Sequence, residues 1–314
     1  MSSVHAPRSR YSLPSLAALR AFEAAVRLGS FKAAAEHLRL TPSAISHQIH
    51  ILETHFRRKL FLRAGNNLQL TRDGEVYGVS VLKAFAEIAR AGDALLSQEG
   101  KRILRVSAAP SFAAFAAVPH LEKLRASDAS LDVRLEARTT NVDFEMENVD
   151  AAIQIGVATR RGLNTHRLFR SRMAPLAHRE LCRRYGPVKR MEDLAAMPLI
   201  EMNSIPGLWE QWFAQSDERI KLPDLALSSD GLLAALQMAE SGLGVVLAPL
   251  PLVAPLVSAG RLTPLLRPRV LPEGPDFHLV YRTEDANTAK IRSIRRWLKA
   301  IVDELEQQAS PWKG

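Results

Sequence analysis

The stretch Thr41-Pro42-Ser43-Ala44-Ile45-Ser46-His47-Gln48-Ile49-His50 carries hydroxyls and imidazoles at spacings that a helix gathers on or near one side. Ile45, Ile49 and Leu52 recur on the other side, at intervals of four and three. Such residues could do three kinds of chemistry. A serine nucleophile beside a histidine base would need an acid to orient the ring. His47 and His50 could hold a metal, but no cysteine or carboxylate near that face completes a ligand set. The third chemistry is hydrogen bonding to a polyanion. Ser and His donate and accept without the reach of Glu or its repulsion from phosphate, and compact side chains let the helix backbone approach base edges. The plain alternative is a solvated face of an ordinary helical bundle.

Catalytic signatures do not compete elsewhere. No G-x-S-x-G elbow, Walker loop or HExxH occurs. Gly242-Leu243-Gly244 follows a helix and precedes a strand, the reverse of the order a dinucleotide loop needs, so Gly242 reads as a helix C-cap. Cys182 is the only cysteine, which excludes an intramolecular disulfide and suits a reducing compartment. The expectation is no enzyme, no metal and no cofactor.

The elements around the helix fit the polyanion reading. Ser15 to Val26 repeats apolar residues every three or four positions and stops at Gly29. Ser30 can cap a second helix whose inner face is Phe31, Ala34, Ala35 and Leu38, and Thr41 can cap the third, with Pro42 at its first position. Short strand-like runs at 60–63 and 68–70 flank the turn residues Gly65, Asn66 and Asn67. Three short helices and a hairpin read as a winged helix-turn-helix over residues 13–71. Charge agrees. Between residues 13 and 72 nine Lys and Arg face three Glu, a surplus of six out of the whole chain's nine.

Residues 72–98 predict one long helix after the possible cap Thr71, with Asp73 and Glu75 in its first turn. Val79, Leu82, Ala86, Ala89 and Leu96 form an apolar stripe suited to a partner helix, or alternatively to the helix's own domain, while Gly78 and Gly92 could serve as hinges. From residue 101 short β-rich runs alternate with helical stretches, as parallel sheets covered by helices require, and ligands then sit at strand carboxyl ends. Polar residues at such ends are candidate ligand contacts: Ser111 with Phe112, Thr139, Thr140 and Asn141, Asn203 and Ser204, and Ser229 and Asp230. Capping and turn chemistry would also explain each of them. The free N–H groups near Ser111 would favour an anion.

The first 12 residues are polar and basic without an apolar core, and no run approaches the roughly 18 apolar residues of a membrane span, so a cytoplasmic, membrane-free protein is expected. At 314 residues the chain should hold two or three domains.

The phrases "LAALRAFEAAVRLGSFKAAAEHLRLTPSAISHQIHILETHFRRKLFLR" and "LTRDGE" resemble the N-terminus of the LysR-type transcriptional regulators, in the branch of the glycine-cleavage and β-lactamase gene activators. "VDAAIQIG", "EDLAAMPLI" and "GLGVVLAP" are similar to the family's C-terminal part. The resemblance implies a multidomain chain of α+β and α/β parts: the winged helix, a linker helix that pairs antiparallel in a homodimer or homotetramer, and at 99–314 an effector domain of two α/β lobes like a periplasmic binding protein. Lobe one would be about 102–164 plus 267–305 and lobe two about 165–266, with crossovers near Asn164–Phe169 and Arg261–Leu266. Double-stranded promoter DNA would meet Thr41, Pro42, Ser43, Ser46, His47 and His50, with Lys32, Arg63 and Asn66 beside the backbone. A small-molecule effector and RNA polymerase would be further partners. Pro42, His47 and the Asn66-Asn67 wing depart from the Gln or His, Arg and basic residues common in the family, which implies fewer released counterions and a shallower salt dependence. Competing readings are a regulator with a vestigial cleft and a solute-binding or dehydratase-like protein, which would leave the first 98 residues unexplained.

Overall fold

The computed structural model describes residues 13–64, 67–98, 102–156, 160–215, 220, 225, 227–272 and 274–312. It divides into two units, one of residues up to Leu95 with Glu145–Asn148 and one of Leu96–Phe144 with Val149 onward.

The first unit begins with helices α1 (Leu16–Leu28), α2 (Phe31–Leu38) and α3 (Pro42–Phe56). Each starts where a hydroxyl stands ready: Ser15, Ser30 and Thr41 accept from the amides of Ala18, Ala33 and Ala44 at 3.2, 3.3 and 3.2 Å. Alanines at 18, 21, 24, 25, 34 and 35 are buried where the helices cross, and their small size lets the backbones close on Phe22, Ile45, Ile49 and Leu52. A buried Phe, Ile or Leu contributes roughly 1.5–3 kcal/mol, against about 1 kcal/mol for a cap, so packing holds the unit while the caps set where each helix begins. The hairpin β1 (Phe61–Ala64) and β2 (Asn67–Leu70) pairs antiparallel with Phe61 opposite Leu70. Phe61 meets Phe22 and Phe31 edge-on at 5.5 and 5.1 Å, which seats the hairpin on the bundle.

Helix α4 (Arg72–Gln98) runs the expected length, with the Thr71 hydroxyl accepting from the Gly74 amide at 3.0 Å. Gly74 is required by space: a Cβ there would sit 2.0 Å from the Leu60 carbonyl oxygen. Tyr77, Val81 and Phe85 pack on the helix-turn-helix core, and Gly78 faces Val26. The stripe expected from the sequence lies on another side. Val79 and Ala89 are exposed, Leu82 is half-buried, and Ala86 is buried within the single chain at 5% exposure. The side chain of Leu96 lies outside the described residues.

The second unit holds two sheets. After β3 (Arg102–Ala108), a helical run comprises α5 (Pro110–Phe112), a π turn Ala113–Ala117, a 3-10 turn Val118–His120 and α6 (Leu121–Ser127). Pro119 cannot donate, and its ring crowds the preceding turn, so the hydrogen-bond ladder changes pitch there. Then come β4 (Leu131–Ala137), β5 (Ala151–Ile155), β6 (Leu163–Phe169), β7 (Arg172–Ala177), α7 (Arg179–Tyr185), α8 (Met191–Ala195), β8 (Leu199–Met202), α9 (Leu208–Phe213), β9 (Leu227–Ser229), α10 (Leu232–Glu240), β10 (Val245–Pro249), α11 (Leu250–Ser258), β11 (Thr263–Pro264), β12 (Arg269–Val270), β13 (Phe277–Arg282) and α12 (Ala289–Gln308). One sheet has the order β4-β3-β5-β13-β6, the other β11-β7-β10-β8-β9 with β12 also on β7. Strands β3, β4 and β5 are mutually parallel, as are β8, β9 and β10. Each sheet has its own core, one around Trp209 and Trp212, the other around Phe112, Phe277 and Trp297.

The crossovers differ from the expected positions. Residues 163–169 are β6, paired along its length with β13 of the first sheet, and residues 263–264 and 269–270 pair with β7 of the second. The chain therefore passes between lobes at 170–171 and again between β12 and β13, because edge strands reach the crossover before the chain leaves its sheet. There the two passages are tied together: the Ser171 amide donates to Asp276 Oδ1 at 2.7 Å, and its hydroxyl to the Pro275 carbonyl at 2.8 Å. At the end of α10, Gly242 adopts φ +73° just past the cap residue Ser241, and Leu243 N bonds the Met238 carbonyl at 3.1 Å, closing the helix as expected.

Candidate DNA-facing helix and ligand cleft

The outer surface of α3 carries Thr41, Pro42, Ser43, Ser46, His47 and His50, all exposed, while Ile45, Ile49 and Leu52 face inward. Thr41 Oγ1 and Ser43 Oγ lie 2.9 Å apart, which holds both hydroxyls at the helix start. No hydrogen bond ties the side chains of Ser46, His47 or His50 to the described domain. Lys32 is exposed on α2. Arg63 lies in β1, and Asn66 falls outside the described residues.

One buried carboxylate organises the other end of α3. Glu53 is 8% exposed. Its Oε1 accepts from the amides of Leu60 and Phe61 at 3.0 and 3.4 Å, and its Oε2 from Lys59 Nζ at 2.6 Å. Burial works against its ionisation, but the Lys59 ammonium and the two amides outweigh it and hold the carboxyl below its ordinary value. The turn into the hairpin is thus fastened to the helix. Arg39 and Arg57, which end α2 and α3, have φ of +55° and +53°, a left-handed backbone that non-glycine residues rarely adopt. Both are exposed cations that sequence reasoning passed over; their place, one residue past an apolar helical repeat, was the available signal.

Between the two lobes of the second unit lies a cavity of about 770 Å³, at the carboxyl ends of β3, β4, β5, β8, β9 and β10. Of the candidate ligand contacts, Ser111, Thr139, Thr140, Asn141, Ser204, Ser229 and Asp230 line it. Phe112 does not. It points into the lobe-one core, 5.6 Å from the Phe277 ring, because neighbouring helical positions face different ways. Asn203 is not on the wall, but its Nδ2 donates to Asp230 Oδ1 at 3.2 Å and so positions a residue that is. Ser229 Oγ accepts from Gly231 N at 3.3 Å and donates to the Gly231 carbonyl at 2.7 Å, shaping the entry to α10.

Other wall residues were missed. Arg138, next to the Thr139-Thr140-Asn141 loop, donates from Nε to Ser107 Oγ at 3.1 Å. Gln154 interrupts the apolar run of β5 and reaches the cavity, a signal that a strand buried on both faces should not show. Met202, Ile205, Met238, Pro249 and Phe277 supply an apolar lining that no local pattern marks. Below the cleft, burial raises the Glu201 carboxyl above its ordinary value; the Gly207 amide bonding its Oε1 at 3.2 Å pulls the other way, and Glu210 adds to the rise. Its Oε2 is buried without a hydrogen bond among the described residues.

The two parts match two family descriptions. Residues 16–75 match "Bacterial regulatory helix-turn-helix protein, lysR family", and residues 97–302 match "LysR substrate binding domain". The chain belongs to the LysR family. It is a DNA-binding transcriptional regulator with an effector-binding domain. The glycine cleavage system transcriptional activator of Escherichia coli is 34% identical over 92% of this chain and 94% of its own. The HTH-type transcriptional activator AmpR of Rhodobacter capsulatus is 29% identical over 92% of this chain and 97% of its own. Among solved structures, the full-length Vibrio cholerae activator AphB superposes with a TM-score of 0.58 at 17% identity, over 91% of this chain and 99% of that one. CrgA of Neisseria meningitidis gives 0.56 at 24%, over 93% and 99%. These likenesses bear on fold alone. No helix among the described residues is long and apolar enough to cross a membrane.

Proposed function

We propose that this regulator reads a promoter with the exposed face of α3 and adjusts that binding when a small molecule occupies the cleft between its lobes. The cleft carries the reading: a cavity of about 770 Å³ lies within the range of roughly 300–1,000 Å³ typical of drug-sized ligand sites, and its polar groups converge from both lobes. A ligand touching both walls binds the closed arrangement better than the open one, so its binding shifts the population of lobe angles. Thr41, Ser43, Ser46 and His47 would approach the major groove, with Lys32 and Arg63 beside phosphates. Promoter DNA, a second or further copies of the chain and RNA polymerase are its macromolecular partners, in the cytoplasm, and it performs no catalysis. The pairing of copies would use α4, where Ile88 and Leu95 are 66% and 67% exposed and Val79 and Leu82 lie on another side.

The test is Ser46→Glu. It places an unpaired negative charge on an exposed position, so folding should survive while operator affinity falls at least a hundredfold. Undiminished affinity in a gel shift would remove α3 from the interface.

A further inference from the structure

Helix α12, on lobe one, carries a second concentration of positive charge. From Lys290 to Lys299 its sequence holds five Lys and Arg and no acid. Lys290 is half-buried against Asp150, 3.0 Å away. The other four, Arg292, Arg295, Arg296 and Lys299, are all exposed, while Ile291, Ile294, Trp297, Leu298 and Ile301 face the core. Their spacing sets them in one row along the outer side of the helix. Arg292 donates to the Asn287 carbonyl, and Lys299 pairs with Asp303 at 2.7 Å. Arg295 and Arg296 have no ion pair or hydrogen bond among the described residues. The neighbouring edge strand β6 adds His166, whose ring is held below its ordinary value by burial and then by the Arg295 charge.

This row does nothing for the fold. Arg292 repels Arg295 and Arg296, and Lys299 repels them again, since like charges three and four residues apart disfavour a helix. Arg292 also stands in the first turn, where the helix dipole disfavours a cation. Around the row, α12 and β6 expose no large apolar side chain among the described residues. The face therefore lacks the apolar centre on which a protein partner would anchor. Bare cations at regular spacing suit a regular polyanion. The row is about 10 Å long, a distance over which each strand of a DNA duplex presents about three phosphates. Three of the four cations are arginines, whose forked donors match phosphate oxygens. We infer that the outer face of α12 is a second DNA site, which holds the phosphate backbone of a duplex without reading its bases.

The test is the salt dependence of the full chain's binding to a mixed-sequence duplex of about 60 base pairs, followed by fluorescence anisotropy. Arg292→Gln, Arg295→Gln, Arg296→Gln and Lys299→Gln together should shrink the slope of log affinity against log salt by about 2 or more, because each lost phosphate contact removes about 0.9. Arg295→Gln with Arg296→Gln alone should remove about half as much. The melting temperature should hold or rise in both, since the repulsion along the helix is relieved. Arg292→Lys, Arg295→Lys and Arg296→Lys together should keep the parent's slope. Arg179→Gln, Arg183→Gln, Arg184→Gln and Lys189→Gln remove the same charge from exposed positions on lobe two and should leave the slope within about 0.5 of the parent's. An unchanged slope in the fourfold α12 variant, or an equal loss in the lobe-two control, would overturn the site. So would binding to polyglutamate that the α12 variant loses while its DNA slope stays, an outcome that assigns the face to an acidic protein.

Discussion

The outer face of α3 and the wall of the lobe cleft both present small hydroxyl side chains, joined on α3 by imidazoles and in the cleft by Asn141, Gln154, Arg138 and Asp230, yet they are assembled in opposite ways. On α3, Thr41 to His50 form one continuous stretch, and a single hydroxyl cap and a buried helix face settle where every one of them points. The cleft draws Ser107, Arg138, Gln154, Ser204 and Asp230 from the ends of separate strands in two sheets. On the proposed function, a reader of a rigid duplex would need fixed spacing along one helix, whereas a cleft that closes on a ligand would need its contacts divided between the two lobes.

Four substitutions sharpen or break that contrast, beginning with the most disruptive. Gly74→Ala forces a Cβ into the Leu60 carbonyl, so the first unit should lose about 3 kcal/mol or more while the second keeps its melting transition. Calorimetry resolving two transitions checks this, and a joint shift of both would mean the units do not fold separately. Glu53→Gln should cost the first unit about 2 kcal/mol by weakening the bonds to Leu60, Phe61 and Lys59. Because the native carboxyl titrates below its ordinary value, its contribution is complete above the unfolded value near 4.5 and fades as pH falls through the native one. Urea midpoints between pH 7 and 3 should therefore drop for the parent more steeply than for Glu53→Gln.

Arg57→Gly relieves the left-handed backbone, so stability should rise by about 0.5 kcal/mol, and if this cation meets a phosphate the salt slope of operator binding should shrink by about 1. A rise in stability with an unchanged slope would make Arg57 a bystander. The smallest effect belongs to the cleft side. Glu201 titrates above its ordinary value, so its folded carboxyl is favoured protonated, and its contribution declines as pH climbs through 4.5 towards the native value. Glu201→Gln should raise the second unit's melting temperature at pH 8 by one or two degrees, roughly, and do less at pH 4.5. An equal effect at both pH values would show that ionisation there is irrelevant.

What could be read in the sequence follows from the same contrast. The caps Ser15, Ser30 and Thr41, the inward isoleucines and the hairpin were legible because each depends on residues within a few positions. The sheets and the Thr139–Asn141 and Ser229–Asp230 corners were legible from strand periodicity and turn chemistry. Phe112 was misplaced because adjacency in sequence does not fix a helical direction, and Arg138 was missed because nothing local says a strand end faces another lobe. On α4 both Val79-Leu82-Ala86 and Tyr77-Val81-Phe85 have helical spacing, and the latter is the set that packs on the helix-turn-helix core, where Tyr77 meets the rings of Phe22 and Phe56, both distant in sequence.

The pair of bonds from Ser171 to Asp276 and Pro275 has a mechanical meaning. By lashing the outgoing and returning strands side by side, it leaves the lobes an axle about which to swing and resists their sliding past one another. On the proposed function, a ligand in the cleft would then send onward a message close to a single angle.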